Sequence, residues 1–312
     1  MRRVFEASGR LMPFFLVAGL PLIPGLDKLY SWVTPDPHDT LVAHKAPYLN
    51  VPDFLTRSLI YFVGWAVLAY VLSAWSHRYD ETGDPAWREK MKRLSCFGLI
   101  FYVVAATLAS VDWIMSLDPH WFSSLFGFAM VAGHLLAAFA FVIPMMLFLA
   151  QRKPMSGVIG TKLFHDYGKF MLAGTMVWAY FMISQYLIIW SGNLPEEVTW
   201  YLVRRSDVWL GLSLALIICH FAVPFLLLLS ADLKKRPKLL MSVAIWVLAM
   251  RWLDLYWLCA PSIADAGGFH WLNLAVPIGL GGLWLFLLIG QFKNRALVPV
   301  RDPRLGEILA HG

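Results

Sequence analysis

Residues 239–259, LLMSVAIWVLAMRWLDLYWLC, decide how this chain is read. The run is long and apolar enough to cross a bilayer as a helix, since about 20 residues rising 1.5 Å each cover the hydrocarbon core. It nevertheless carries Arg251 and Asp254. Residues three apart lie on one helical face, so the two charges can pair and point the same way. An unpaired charge at bilayer depth costs roughly 2.5–3.5 kcal/mol on insertion scales. That side of the helix therefore faces protein or a wet cavity.

The rest of the composition agrees. Of 312 residues, 59% are hydrophobic and 15 are Trp, more apolar surface than a water-soluble core can hide. Eight apolar segments are long enough to span, near residues 11–32, 54–76, 95–117, 123–150, 168–191, 207–230, 238–259 and 271–292. The expected fold is all-α, a polytopic transmembrane bundle. The first segment is interrupted by Pro13, Pro21 and Pro24, which a span tolerates when neighbours satisfy the freed carbonyls. MRRVFEASGR is a basic, polar lead-in to a span, without a signal-peptide pattern.

Basic residues give the orientation. Nineteen lie on one side: Arg2, Arg3 and Arg10; Arg78, Arg88, Lys90, Lys92 and Arg93; Arg152, Lys153 and Lys162; Lys234, Lys235, Arg236 and Lys238; Lys293, Arg295, Arg301 and Arg304. The other side has Lys28, Lys45, Arg204 and Arg205. The positive-inside rule then puts both termini in the cytoplasm. The formal charge of +6 is confined to short loops and gives no reason to expect nucleic acid. Cys96, Cys219 and Cys259 have no CxxC spacing and read as small core residues, with neither a metal nor a disulfide implied.

The outer loops look ordered. Residues 33–53 are rich in Pro, Asp and His, and NLPEEVTWYLVRRSD suits an interfacial helix with Trp200 and Tyr201 at headgroup level. A faint repeat sets Phe5 to Met12 against Phe164 to Met171, and Asp112 with His120-Trp121 against Asp254 with His270-Trp271. It suggests two four-helix units, 1–150 and 151–312, related by an axis along the membrane normal.

Polar residues within the spans line up by depth. His165, Asp166 and Lys169 group at the inner end of one helix, and His134 and His220 lie near the middle. Asp112, Gln185, Arg251 and Asp254 fall in the outer half, and Arg57 near an outer end. Ionisable groups inside a membrane default to function, and a proton path needs protonatable carriers in sequence. The same residues also suit packing: Arg251 with Asp254 and Arg57 with Asp112 as helix-locking ion pairs, Lys169 snorkelling, and each histidine bonded to a neighbouring helix. Two further readings have weaker support. His134 and His220 would be axial ligands of a b-type haem, although two-haem cytochromes show four histidines. Pro144, Pro224, Pro277 and Gly279-Leu-Gly281-Gly282 would belong to a transporter with broken helices and close backbone approach.

Taken together, AHKAPYLNVPDFLTRSLIYF, DETGD, ASVDWIMSLDPHWFS, LIIWSGNLPEEVTWYL, MRWLDLYW and DPRL, in this order, resemble the ActF-type membrane subunit ("quinone-binding subunit 2") of bacterial alternative complex III. The resemblance runs from about Arg3 to the C-terminus. It implies a multi-pass subunit of the bacterial inner membrane within a quinol:electron-acceptor oxidoreductase, built on paired four-helix bundles. No redox cofactor is then expected on this chain. Haem c and iron–sulfur clusters would sit in partners: a polysulfide-reductase-type membrane subunit, an iron–sulfur subunit, and multihaem and monohaem cytochromes c. A scaffold that also conducts protons is the role implied. Members carry additional N-terminal helices, and this chain opens at what would be an internal segment. The alternatives are a purely structural anchor, or quinol binding at the outer face. There His44, Asp118, His120 or His270 would accept a proton, with Trp121 or Trp271 beside the ring.

Overall fold

The computed structural model describes residues 2–152, 155, 159–263 and 269–292. Lys153, Lys293, Arg295, Arg301 and Arg304 from the orientation argument, and the DPRL run, lie outside the described residues. Among those described, the chain is helical throughout, with no strand. Eight helices among the described residues are long and apolar enough to cross a membrane. We number them α1 (Arg2–Leu29), α2 (Val51–Thr82), α3 (Pro85–Leu117), α4 (Phe126–Ala150), α5 (Thr161–Gly192), α6 (Val208–Leu229), α7 (Pro237–Ser262) and α8 (Leu272–Phe292).

Proline explains where these helices depart from regularity. In α1 the helix stops at Gly19, runs as a 3₁₀ segment through Leu20–Gly25, and resumes at Leu26–Leu29. Pro21 and Pro24 cannot donate to the preceding turn, and the tighter 3₁₀ winding accommodates them. In α6 the disturbance is a π-helical stretch at Leu216–Ala222. Pro224 has no N–H for the His220 carbonyl and its ring would collide with that oxygen. The wider turn lets the Val223 amide reach Ile218 instead. The Cys219 carbonyl thereby loses its helical donor and is taken by Trp246 Nε1 of α7 at 2.7 Å. By contrast α4 and α8 run unbroken through Pro144 and Pro277, and Gly279, Gly281 and Gly282 face open space. The close backbone approach expected at those glycines is not made among the described residues.

The chain forms two compact units. The first comprises Met1–Leu26, Leu55–Ala105 and Asp265–His311, and the second Asp27–Phe54 and Ala106–Ala264. Helices α4 and α5, which the repeat would assign to different four-helix units, share the second one.

In the first unit, Arg3 pairs with Asp80 and with Glu6, and Arg2 bonds Glu6 at 2.9 Å and Ser76 at 2.6 Å. These bonds hold the start of α1 against the end of α2. Further along, the Tyr70 hydroxyl donates to the Arg10 carbonyl at 3.0 Å. Most side chains of this unit point outward, and α8 buries only Leu288. Cys96 is exposed on α3, so it is not the core residue its apolar surroundings suggested. No cysteine forms a disulfide.

The second unit is built around α4. Leu136, Ala140, Val142, Ile143 and Met146 are fully buried there, against α5 on one side and α7 on the other. Small residues allow this approach: a Cβ at Gly174 of α5 would touch the Leu136 backbone at 3.3 Å, and one at Gly133 of α4 would collide with the Arg251 guanidinium. Helix α5 ends at Asn193, whose N–H still bonds the Ile189 carbonyl while its left-handed φ of 46° turns the chain out of the helix. Asn tolerates that conformation better than most residues. Pro195 then starts the short helix Pro195–Val203, as its fixed φ favours. A helix forms there as expected, but Trp200 is buried and stacks on Trp121 at 4.5 Å, so it is a core residue. The 33–53 segment is ordered as expected. Tyr30 donates to the Trp113 carbonyl at 3.0 Å, Lys45 to that of Pro119 at 2.6 Å, and His120 meets Asp39 at 2.8 Å.

Trp246→Phe keeps an aromatic ring and removes the N–H that bonds Cys219. The expected loss is about 1 kcal/mol, read as a lowered unfolding midpoint in detergent. An unchanged midpoint would mean that the freed carbonyl finds another donor.

Candidate functional site

Arg251 and Asp254 form the ion pair that their spacing predicts, and both are buried, with Asp254 at 0% exposure. Oδ2 of Asp254 accepts from Arg251 and from Trp178 Nε1 of α5, the latter at 3.1 Å. Oδ1 has no hydrogen-bond partner among the described residues. The other end of the guanidinium lies over Gly133 and 3.7 Å from the Met130 sulfur. The pair thus ties α7 to α5 while sitting in a notch of α4. Desolvating two ions is repaid only with good geometry and further bonds, and Trp178 supplies one.

His220 lies on the other side of Trp178, with ring centroids 4.2 Å apart and planes at 70°. It is fully buried within the π-helical stretch, and neither ring nitrogen has a hydrogen-bond partner among the described residues. π-Turns concentrate at functional positions, and the imidazole so placed has neither nitrogen committed to another bond among the described residues.

A cavity of about 590 Å³ opens beside this group, between α5, α6 and the Pro195–Val203 helix. Asp254, Trp178, Ser213, Trp257 and Tyr201 line its depth, and Arg204 and Arg205 lie in its wall. Close by, Ser123 donates to Gln185 Oε1 at 3.1 Å, and Gln185 Nε2 donates to the Tyr201 hydroxyl at 3.3 Å. Burial pushes Tyr201 up to about 12, against the smaller opposing effects of Gln185 and Arg204. Arg204 is 3% exposed. It donates to the carbonyls of Trp200, Trp257 and Leu258 at 2.8, 3.3 and 2.9 Å, and its guanidinium lies 3.4 Å from the Trp200 ring centroid. Trp257 and Leu258 stand in the last turn of α7, where carbonyls lack helical donors and a cation is favoured. Burial draws Arg204 down to about 9, so it stays charged at neutral pH.

The residues expected to form a path are brought together only in part. Arg251, Asp254 and His220 gather around Trp178, and Gln185 is buried in its own network nearby. Asp112 is buried on α3 in the same unit. His134 is on α4 but exposed on the helix surface, so the two histidines have different surroundings, and neither lines the Asp254 cavity. Lys169 and Asp166 pair at 3.3 Å with both side chains substantially exposed, and His165 beside them is half-buried. Arg57 is half-buried and belongs to the first unit. Of the outer-face candidates, His120 is paired with Asp39, His44 is exposed and Asp118 half-buried. Trp121 is a core residue, while His270 and exposed Trp271 lie in the first unit. Among the described residues no three metal-ligating side chains cluster.

Sequence reading missed Trp178, Ser123, the bond between Tyr201 and Gln185, and the buried role of Arg204. Trp178 precedes Gln185 by seven residues, two turns on the same face, and that spacing would have flagged it. Arg204 was counted only as a loop charge. Compared with known proteins, the chain matches no protein-family model and no curated relative.

Arg251→Met alone leaves Asp254 buried without its cation and is expected to cost about 3–5 kcal/mol. The double replacement with Asp254→Leu should recover most of that in thermal unfolding; equal losses would show that the pair is not what holds these helices. At the outer loop, Asp39 is held below the usual carboxylate range by the Val42 amide first and His120 second. A depressed carboxylate stabilises above its unfolded value, near 3.8, and loses that contribution as pH falls through the lower folded value. Hydrogen exchange at Val42 should therefore stay protected at pH 5 and lose that protection only as the pH is taken below 3.8. Asp39→Ala should remove protection already at pH 5.

Proposed function

We propose that this chain is a membrane subunit, without a redox centre of its own, of a quinol:electron-acceptor oxidoreductase of the alternative complex III type, and that its second unit exchanges protons at Asp254. In this reading it is an inner-membrane protein with cytoplasmic termini and two four-helix bundles. Its partners are a polysulfide-reductase-type membrane subunit, an iron–sulfur subunit and c-type cytochromes. The sequence motifs support the complex. The observation that carries the proton role is the divided carboxylate: Oδ2 is committed to Arg251 and Trp178, whereas Oδ1 has no partner among the described residues while Asp254 lines a cavity.

Chemically, that division lets Oδ1 accept and release a proton while Oδ2 keeps its hold on Trp178. His220 sets an imidazole against the same indole, and the cavity that Asp254 lines gives room for water at the carboxylate. The closed Arg251–Asp254 pair favours a second reading, in which the charges only lock α7 into the notch of α4.

Asp254→Asn separates the two. It retains an oxygen for Arg251 and Trp178 but has no titratable proton. With the whole complex reconstituted in liposomes, the proton reading expects normal assembly and fewer protons moved per quinol oxidised. Normal assembly with an unchanged ratio would leave the structural anchor as the function.

A further inference from the structure

The groove between α5 and α6 has chemistry that proton exchange does not use. Its walls are mostly apolar, and about 590 Å³ falls within the range of small-molecule sites. Three of its lining residues, Ile183, Leu214 and Ile217, are 52%, 52% and 60% exposed. They stand on spans, where the surroundings are hydrocarbon, so the mouth opens sideways into lipid rather than into water.

Its charges do not balance. Arg251 and Asp254 neutralise each other. Arg204 bonds only to carbonyls and makes no ion pair with a described carboxylate, Asp118 acting on it only from a distance. Of the five guanidinium N–H donors, those three bonds leave two. Arg205 is exposed beside it, and its side chain has no polar partner among the described residues. The groove thus carries two uncompensated guanidinium groups at one end and apolar walls along the rest. Guanidinium forks suit phosphate oxygens, and an occupant reaching them from the side must itself be apolar over most of its length.

We propose that this groove binds an anionic phospholipid, with its phosphate at Arg204 and Arg205 and an acyl chain along Ile183, Leu214 and Ile217. The occupant is a lipid rather than free phosphate, because the apolar walls along most of the groove match an acyl chain and offer nothing to a small hydrophilic ion. The inference does not depend on proton exchange at Asp254.

Native mass spectrometry of the full chain in detergent tests it, with phosphatidylglycerol and phosphatidylcholine supplied at equal concentration. An Arg near a lipid phosphate contributes about 1 kcal/mol, or about fivefold in binding. Phosphatidylglycerol should therefore be retained several-fold better than phosphatidylcholine. Arg205→Ala, an exposed change that leaves the fold intact, should reduce its retention about fivefold. Ile217→Trp, which fills the mouth, should reduce retention of both lipids, and excess inorganic phosphate should not compete. Equal retention of the two lipids, indifference to Arg205→Ala, or displacement by inorganic phosphate would each overturn the proposal.

Discussion

The Arg251–Asp254 pair is the constraint that the second unit is arranged around. A guanidinium can lie in the middle of a helical bundle only if a neighbour gives way, and Gly133 is that neighbour: any side chain there would occupy the space of the guanidinium. The close approach of α4 and α7 is thus tied to a charge. The carboxylate in turn recruits Trp178, which brings in α5 and sets the edge of its ring against His220 on α6. One ion pair therefore reaches four helices.

Arg204 achieves something similar at the end of α7 by different means. Its partners are backbone oxygens and indole faces instead of an acid. Helix ends leave carbonyls without donors, and burying them under Trp200 and Trp121 would be costly if nothing bonded them. A guanidinium is well suited there because it can serve several oxygens while stacking on aromatic rings. The expense of a buried cation is offset by the backbone oxygens of the Pro195–Val203 helix and of α7, with no acid among them, which leaves its charge available toward the cavity.

The existence and bounds of the long apolar helices were legible because hydropathy over some twenty residues reports directly on whether a segment is apolar enough to cross a bilayer. The i, i+3 spacing of Arg251 and Asp254 was enough to foresee their pairing. Which face of a helix meets protein was much harder to read, since lipid and core are equally apolar. Trp200 and Cys96 show the error in opposite directions, one drawn inward and one left outside. His134 and His220 looked equivalent by depth, yet the first is exposed and the second enclosed. Depth is a one-dimensional property of sequence; azimuth depends on which neighbours arrive, and Trp178 was not foreseen.

Azimuth also gives the π-helical turn of α6 a wider meaning. Each residue advances a helix by about 100°, so the extra residue accommodated between Leu216 and Ala222 rotates everything downstream by roughly that angle. Helix α6 is in effect two rods joined out of phase. The rod ahead of the turn sets Ser213 and Leu214 along the groove, Ile217 follows within the turn itself, and the rod after it turns Pro224 and Leu228 into the bundle. A single hydrophobic stripe drawn along the whole helix would run true for only half its length. By breaking phase at His220, the chain gives one span two independent faces.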